Sequence, residues 1–466
     1  MKNDNCSRRL HGIACTSALA LVIACANGNP DNGAESSGAG SGVTGASSGS
    51  APNGSGATAG TSGEPSGAAN GSGSSTGIGG AVSGSSGAAD MPDANAGADA
   101  PPGGGSDAIA GGYDSSATDP GTQGDGDRVL NGPFRAAPEF TRGAGVPAGT
   151  SFRFVIPNST IFPKAPARAV AVYVPSQYKA GTPAPVMVYQ DGTNFYGFDT
   201  AIPPVLDNLI AKGSIPVMVA VFASNGGGDA VGSERGLEYD TVSGLYADWA
   251  DKELLPAVEK QSQTALPKQA ITFTHDPEGR GAVGGSSGGA GSFGMVWWHP
   301  DLFRRVITFS GTYVNQVPLN SPFPHGCWVY HDVDPYNMAA PNGLIVQHCE
   351  SATNPFAGSS NPGPCDTPLS KTACEAVAGC QWNTQVNKPI RIWHESGTND
   401  LGAGGAPGTY RNFDLANQRM AASFKLRGYH YHYDHAIGAG HVDGGAWHQT
   451  FPEAMTWLWR GYQGPK

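Results

Sequence analysis

The sequence predicts an α/β protein with a mostly parallel central sheet flanked by helices, and three observations lead there. Short apolar, β-branched runs bounded by Gly, Pro and Asn recur along the last two thirds of the chain. Segments with apolar residues at three- and four-residue spacing fall between several of them. One run enters a helical segment through the glycine-rich turn 281–290, GAVGGSSGGA. Strands that alternate with helices in this way build parallel sheets covered on their faces.

In chain order, the first 25 residues read as an export signal: a basic start, MKNDNCSRRL, then an apolar run ending VIAC, too short to span a membrane and stay. That ending resembles the bacterial lipoprotein box, which makes Cys25 the expected lipidated residue and the mature start; an ordinary signal peptide cut near Ala24 or Ala26 is the alternative. Residues 26–127 are Gly, Ser, Ala, Asn, Pro and Thr with almost no bulky apolar side chains, so they cannot offset their own ordering entropy. A flexible tether is expected, and about 100 residues of random coil span roughly 50 to 60 Å. The expected location is the outer membrane or surface of a bacterium, with the membrane as partner through the lipid.

Residues 128–466 carry nearly all the aromatics and suffice for one sizeable catalytic domain. Strands are expected at 169–174, 185–189, 216–222, 281–283, 305–309 and 389–393, with an alternating run at 429–434. Helices are expected at 204–210, 246–258, 290–298, 417–426 and 452–459. The segment 318–387 breaks this rhythm and is too long for an ordinary loop, so it reads as an insertion before the strand 389–393. It could wall the site or merely decorate the surface. It holds the five cysteines left to the mature domain, Cys327, Cys349, Cys365, Cys374 and Cys380, which are expected to form disulfides with one thiol over. Their spacings lack paired C-x-x-C units, so no zinc site is expected. A net charge of -11, with 27 Lys and Arg against 38 Asp and Glu, argues against a nucleic-acid partner.

A serine hydroxyl is a poor nucleophile until a base takes its proton and a carboxylate orients that base. The turn holds G-x-S-x-G twice, centred on Ser286 and on Ser287. Strand-to-helix elbows of this kind need small flanking residues, and the apolar strand runs straight into the first glycine. Val283 is the last apolar strand residue and Gly284 follows it, which favours Ser286, with Gly284, Gly288 and Gly289 as the small positions. Ser287 then offers its N–H to the oxyanion at a helix start. In the α/β-hydrolase order the acid and the base follow the serine. Asp400, after the strand ending at Trp393, is the expected acid, with Asp414 and Glu395 as alternatives. His441 is the expected base, against His435 and His448. The second oxyanion donor is expected from the loop after an early strand, at Thr193 or Gly192; the alternative there is a plain turn capped by Asp191. His430 and His432 share one face of their strand, and packing accounts for them better than a metal. No cofactor is called for.

Together these residues resemble the esterase family related to enterochelin esterase and esterase D. The likeness is carried by Tyr173-Val174-Pro175, Tyr189-Gln190-Asp191-Gly192, Glu238-Tyr239-Asp240, Gly284 to Gly289, Gly440-His441 and Trp457-Leu458-Trp459, and covers about 152–462 apart from the insertion. It implies an α/β-hydrolase fold and carboxylic-ester hydrolysis on small-molecule or polysaccharide esters. It carries the roles of nucleophile, acid and base to Ser286, Asp400 and His441. Acyl transfer on the same fold and a non-catalytic binding lipoprotein are the rival readings.

Overall fold

The structure, a computed structural model, describes residues 121–229, 232–316, 326–333, 340–353, 364–365, 370–383, 387–405 and 411–464. All of them belong to one compact unit, Ala100–Lys466. The expected signal, Cys25 and the tether up to residue 120 lie outside the described residues.

The strands are β1 (Gly126–Asn131), β2 (Thr150–Ile156), β3 (Arg168–Val174), β4 (Val186–Gln190), β5 (Val219–Ala223), β6 (Arg280–Gly285), β7 (Arg305–Phe309), β8 (His348–Ser351), β9 (Cys380–Asn383), β10 (Arg391–Gly397) and β11 (Tyr431–Ile437). The helices are α1 (Phe198–Ala211), α2 (Glu234–Tyr239), α3 (Leu245–Trp249), α4 (Leu255–Ala265), α5 (Ser287–Trp298), α6 (Lys371–Glu375), α7 (Phe413–Arg427) and α8 (Gly444–Trp459), with a π-helical turn, Ala250–Leu254, joining α3 to α4. Nine strands form one sheet in the order β1-β11-β10-β7-β6-β4-β5-β3-β2. Every pairing from β1 to β5 along that order is parallel, and β3 alone runs against the rest, antiparallel to both β5 and β2. This is the expected mostly parallel sheet flanked by helices.

Strand side chains alternate between the two faces, so the sheet divides the core. On β4, Val186 and Val188 join the cluster with Phe293 of α5 and Phe424 of α7, while Met187 and Tyr189 join α1 and α8 on the other face. Both faces being covered explains why the central strands read as continuous apolar runs rather than alternating ones.

The domain begins earlier than residue 128. Strand β1 starts at Gly126, and Asp125 before it takes hydrogen bonds from Trp457 Nε1 (3.2 Å) and His430 Nδ1 (2.8 Å). Arg128 then pairs with Asp434 at 2.6 Å. An edge strand needs only one side buried, so GDRVLN carries too little apolar signal to stand out from a Gly-rich tether. Helices α1 and α8 also start earlier than expected, because Pro203, Pro204 and Pro452 lie inside them rather than in their first turns. The Asp443 carboxylate caps α8 by accepting from the N–H groups of Gly445 (2.9 Å) and Ala446 (3.0 Å).

Within the insertion, β8 and β9 form an antiparallel hairpin, and the disulfides are Cys349–Cys374 and Cys365–Cys380. Cys327 is the leftover thiol and is buried. The hairpin region sits by the C-terminal ends of α5 and α7: His348 meets Trp297 edge-on at 5.5 Å, and Arg427 donates to Val346 O. Trp297 is ten residues along α5 from Ser287, about 15 Å at 1.5 Å per residue. The described hairpin therefore packs at the far end of that helix from the glycine-rich turn and does not wall it.

Candidate active site

The parallel strands β4, β6, β7, β10 and β11 all end at one rim of the sheet, and the residues singled out from sequence fall in the turns that follow them. Strand β6 ends at Gly285 and α5 begins at Ser287, leaving Ser286 alone in the turn with φ 57° and ψ -128°. A non-glycine residue in that region is strained, and such strain persists only where the surroundings fix it. Its N–H donates to Phe309 O at 2.9 Å, and its carbonyl accepts from Gly289, Ala290 and Thr312 N–H groups at 2.9, 3.1 and 3.1 Å. A Cβ on Gly284 would collide with the Gly288 carbonyl, so the strand and the helix approach here as only glycine allows.

Ser286 Oγ lies 2.8 Å from His441 Nε2, and His441 Nδ1 lies 2.6 Å from Asp400 Oδ1. Asp400 follows β10, is fully buried in its side chain, and also accepts from the Leu401 N–H at 2.7 Å. With the carboxylate as acceptor, the His441 proton belongs on Nδ1 and Nε2 is free to accept from Ser286. Phe413 meets the His441 ring edge-on at 5.0 Å, and the Val442 N–H donates to Ser310 Oγ at 2.9 Å, which anchors the loop carrying His441 to the end of β7.

The two serines differ sharply. Ser287 Oγ donates to the buried Asp240 carboxylate at 3.0 Å, so its hydroxyl faces away from His441. The Ser287 N–H, first in α5, has no hydrogen-bond partner among the described residues and points out of the helix start. Thr193 N–H is likewise unpartnered among the described residues. Gly192 is a correction: its N–H donates to Ala223 O at 2.9 Å, so that amide is already used in pinning the loop to β5. Glycine is needed there instead because a Cβ would lie 2.7 Å from Phe222 Cβ and from Tyr189 O.

Asp191 does more than cap a plain turn. It is buried at φ 57°, and its carboxylate takes two-pronged hydrogen bonds from Arg235 of α2 (Nη2 at 2.7 Å, Nε at 3.0 Å) and one from Asn225 Nδ2 at 2.6 Å. Arg235 is itself 2% exposed. Nothing in the local sequence links residues 191 and 235, so sequence reasoning did not find this pair. The same holds for Asp240, whose burial pushes its carboxyl up to about 7 against the opposing Ser287 hydrogen bond and Arg235 charge.

The alternatives for acid and base are occupied elsewhere. Asp414 pairs with His435 at 2.8 Å, and Glu395 accepts from Thr450 Oγ1 at 2.6 Å. His448 packs against Trp447 at 3.8 Å. His432 stacks on Trp393 at 3.7 Å while its Nδ1 donates to Gly124 O, and His430 faces Asp125. Both histidines thus fasten the N-terminal segment to β11.

A family model described as "Putative esterase" matches residues 166–458. Among solved structures, the chain is similar to an enterobactin esterase from Shigella flexneri, at 18% identity over 70% of this chain and 63% of that one, with a TM-score of 0.42. It is also similar to a ferulic acid esterase from Anaeromyces mucronatus, at 16% identity over 70% of this chain and 97% of that one, with a TM-score of 0.42. No curated protein matches in sequence.

Proposed function

Since this chain belongs to the esterase family matched over residues 166–458 and is a carboxylic ester hydrolase, we propose that it works through an acyl-enzyme formed on Ser286. His441 Nε2 takes the Ser286 proton as Oγ bonds to the ester carbon, and the carbonyl electrons move onto oxygen. The Ser287 and Thr193 N–H groups receive that oxyanion. Its collapse breaks the bond to the alcohol oxygen, which takes the proton back from His441. Water then repeats the sequence and frees the acid, with Asp400 holding the imidazolium throughout.

The observation that carries this reading is the unbroken chain from Ser286 Oγ through His441 to Asp400, at 2.8 and 2.6 Å. Treatment with a fluorophosphonate, followed by peptide mass mapping, tests it. One adduct per chain on Ser286 is expected; an adduct on Ser287, or none, overturns it. A screen of feruloyl, acetyl-xylan and siderophore esters, with Ser286→Ala as control, then assigns the acyl group and the alcohol. We further propose that the domain is exported and held at the bacterial surface by lipid on Cys25, which loss of membrane association in Cys25→Ala tests.

A further inference from the structure

A tetrahedral oxyanion has three lone pairs, and two backbone amides serve two of them. The third side of the site is occupied by Tyr196, in the turn that also carries Thr193. Tyr196 has φ 58°, almost the same left-handed value as Ser286, and for a bulky aromatic residue this is a costly conformation. What that backbone achieves is to turn the ring onto the elbow. A Cβ built on Gly285, the residue before Ser286, would lie 3.0 Å from Tyr196 Cε2 and 3.1 Å from Cζ, the carbon that bears the hydroxyl. The ring is held there by Phe195 at 6.0 Å and the buried Phe198 at 5.5 Å between centroids.

The ring edge that bears the hydroxyl therefore lies against the elbow beside Ser286, on the side of the loop that carries Thr193. Burial pushes this phenol up to about 12, so it keeps its proton across the working range of an esterase. A neutral donor beside the nucleophile but outside the His441–Asp400 chain cannot act as the base.

We propose that the Tyr196 hydroxyl is a catalytic residue that donates the third hydrogen bond to the oxyanion. The proposal rests on Ser286 being the nucleophile. When Oγ bonds to carbon and the carbonyl electrons move onto oxygen, the phenol donates its hydrogen bond to that oxygen. No proton leaves Tyr196 at any step.

The test uses the full chain, a short-chain aryl ester and the variant Tyr196→Phe, which keeps the ring and its packing. kcat is expected to fall about 10- to 100-fold with KM within about threefold, in line with loss of one oxyanion donor. The Ki of a trifluoromethyl ketone, which forms an oxyanion on Ser286, is expected to rise by a similar factor. Stoichiometric fluorophosphonate labelling of Ser286 shows that the variant is folded. An unchanged kcat, a loss confined to KM, or an unchanged Ki overturns the proposal while leaving Ser286 as nucleophile. Full activity in Ser286→Ala overturns the nucleophile assignment itself, and this proposal with it. If Tyr196→Phe does not fold, 3,5-difluorotyrosine at 196 preserves the shape and lowers the phenol pKa. Its kcat is then expected to collapse as the fluorinated phenol ionises, and an unshifted alkaline limb overturns the proposal.

Discussion

The rim that carries Ser286 and the cystine-bearing hairpin at the other end of α5 are held by different means. At the rim, the non-glycine residues with positive φ are Asp191, Tyr196, Ser286, Ser310 and Val442, and each lies in the segment that follows a parallel strand. Hydrogen bonds and one buried ion pair keep them there. At the hairpin, two interleaved disulfides tie together segments whose described residues bury few apolar side chains of their own. Strain can be stored at the rim because the sheet beneath it is rigid and fully covered. The hairpin has no such foundation and is cross-linked instead. Perturbing the rim is therefore expected to change rate, and perturbing the hairpin to change local stability alone.

The sharpest break is between neighbours. Ser286→Ala is expected to lower kcat by about four to six orders of magnitude, the range seen when a serine nucleophile is removed. Ser287→Ala retains its backbone N–H and so is expected to lose less than about tenfold. Steady-state rates on an aryl ester measure both, and equal losses would mean that the two serines do not have separate jobs.

Next in effect on rate is Arg235→Ala. It leaves the Asp191 carboxylate buried without its cation, and stripping one partner from a buried pair costs about 3 to 5 kcal/mol of stability. Because Asp191 begins the loop that presents Thr193, kcat is expected to fall at temperatures where the variant is still folded. Chemical denaturation and kcat measured on the same preparation check this. A stability loss with full kcat would show that the loop does not need the ion pair to present its amide.

Much of this rim was readable in the sequence. Val283 running into Gly284 puts Ser286 in the turn, and Asp400 and His441, singled out because each follows a strand-like run, lie in one hydrogen-bonded chain with it. What could not be read depends on pairing across the fold. Arg235 meets Asp191 over 44 residues of chain, and the Gly192 amide is taken by Ala223 on a neighbouring strand. Edge strands β1 and β2 bury only one face, so their patterns are too weak to separate from loops. The cysteine pairing is a tertiary fact that spacing does not encode.

A smaller effect is expected from Asp240, the buried acid beneath Ser287. Its carboxyl is raised by burial to about 7, from an unfolded value near 4. A raised carboxyl pKa means that the folded state holds the proton longer, so its contribution favours folding at low pH and is lost as pH rises from about 4 to 7. Asp240→Asn keeps an acceptor for the Ser287 hydroxyl and removes the titration. Its stability relative to wild type is expected to rise across that window and level off above it. An ionised Asp240 also opposes negative charge near the Ser287 N–H, so kcat of the variant above pH 7 is expected to exceed wild type severalfold. A stability difference that stays flat from pH 4 to 7 would show that Asp240 titrates normally.

The smallest effect on rate belongs to the hairpin. Each disulfide closes a loop of 15 or 25 residues, worth about 3 kcal/mol in the chain-entropy view, and the two loops interleave, so reduction releases both constraints on one segment. Protease nicking within 349–380 is expected to accelerate after mild reduction. Activity on a small aryl ester is expected to stay within about twofold, because the described hairpin packs about 15 Å along α5 from Ser287 and, among the described residues, touches none of Ser286, His441 or Asp400. Buried Cys327 lies with its Sγ 3.5 Å from the Asp240 carbonyl, and burial raises its thiol pKa, so it resists exchange under the same conditions. A parallel loss of activity and of nicking resistance would mean that the hairpin's order reaches the rim through α5. Since α5 starts at the Ser287 N–H and ends against His348, that helix is the element to examine by hydrogen exchange. Protection that falls only in its last turn keeps the two regions separate.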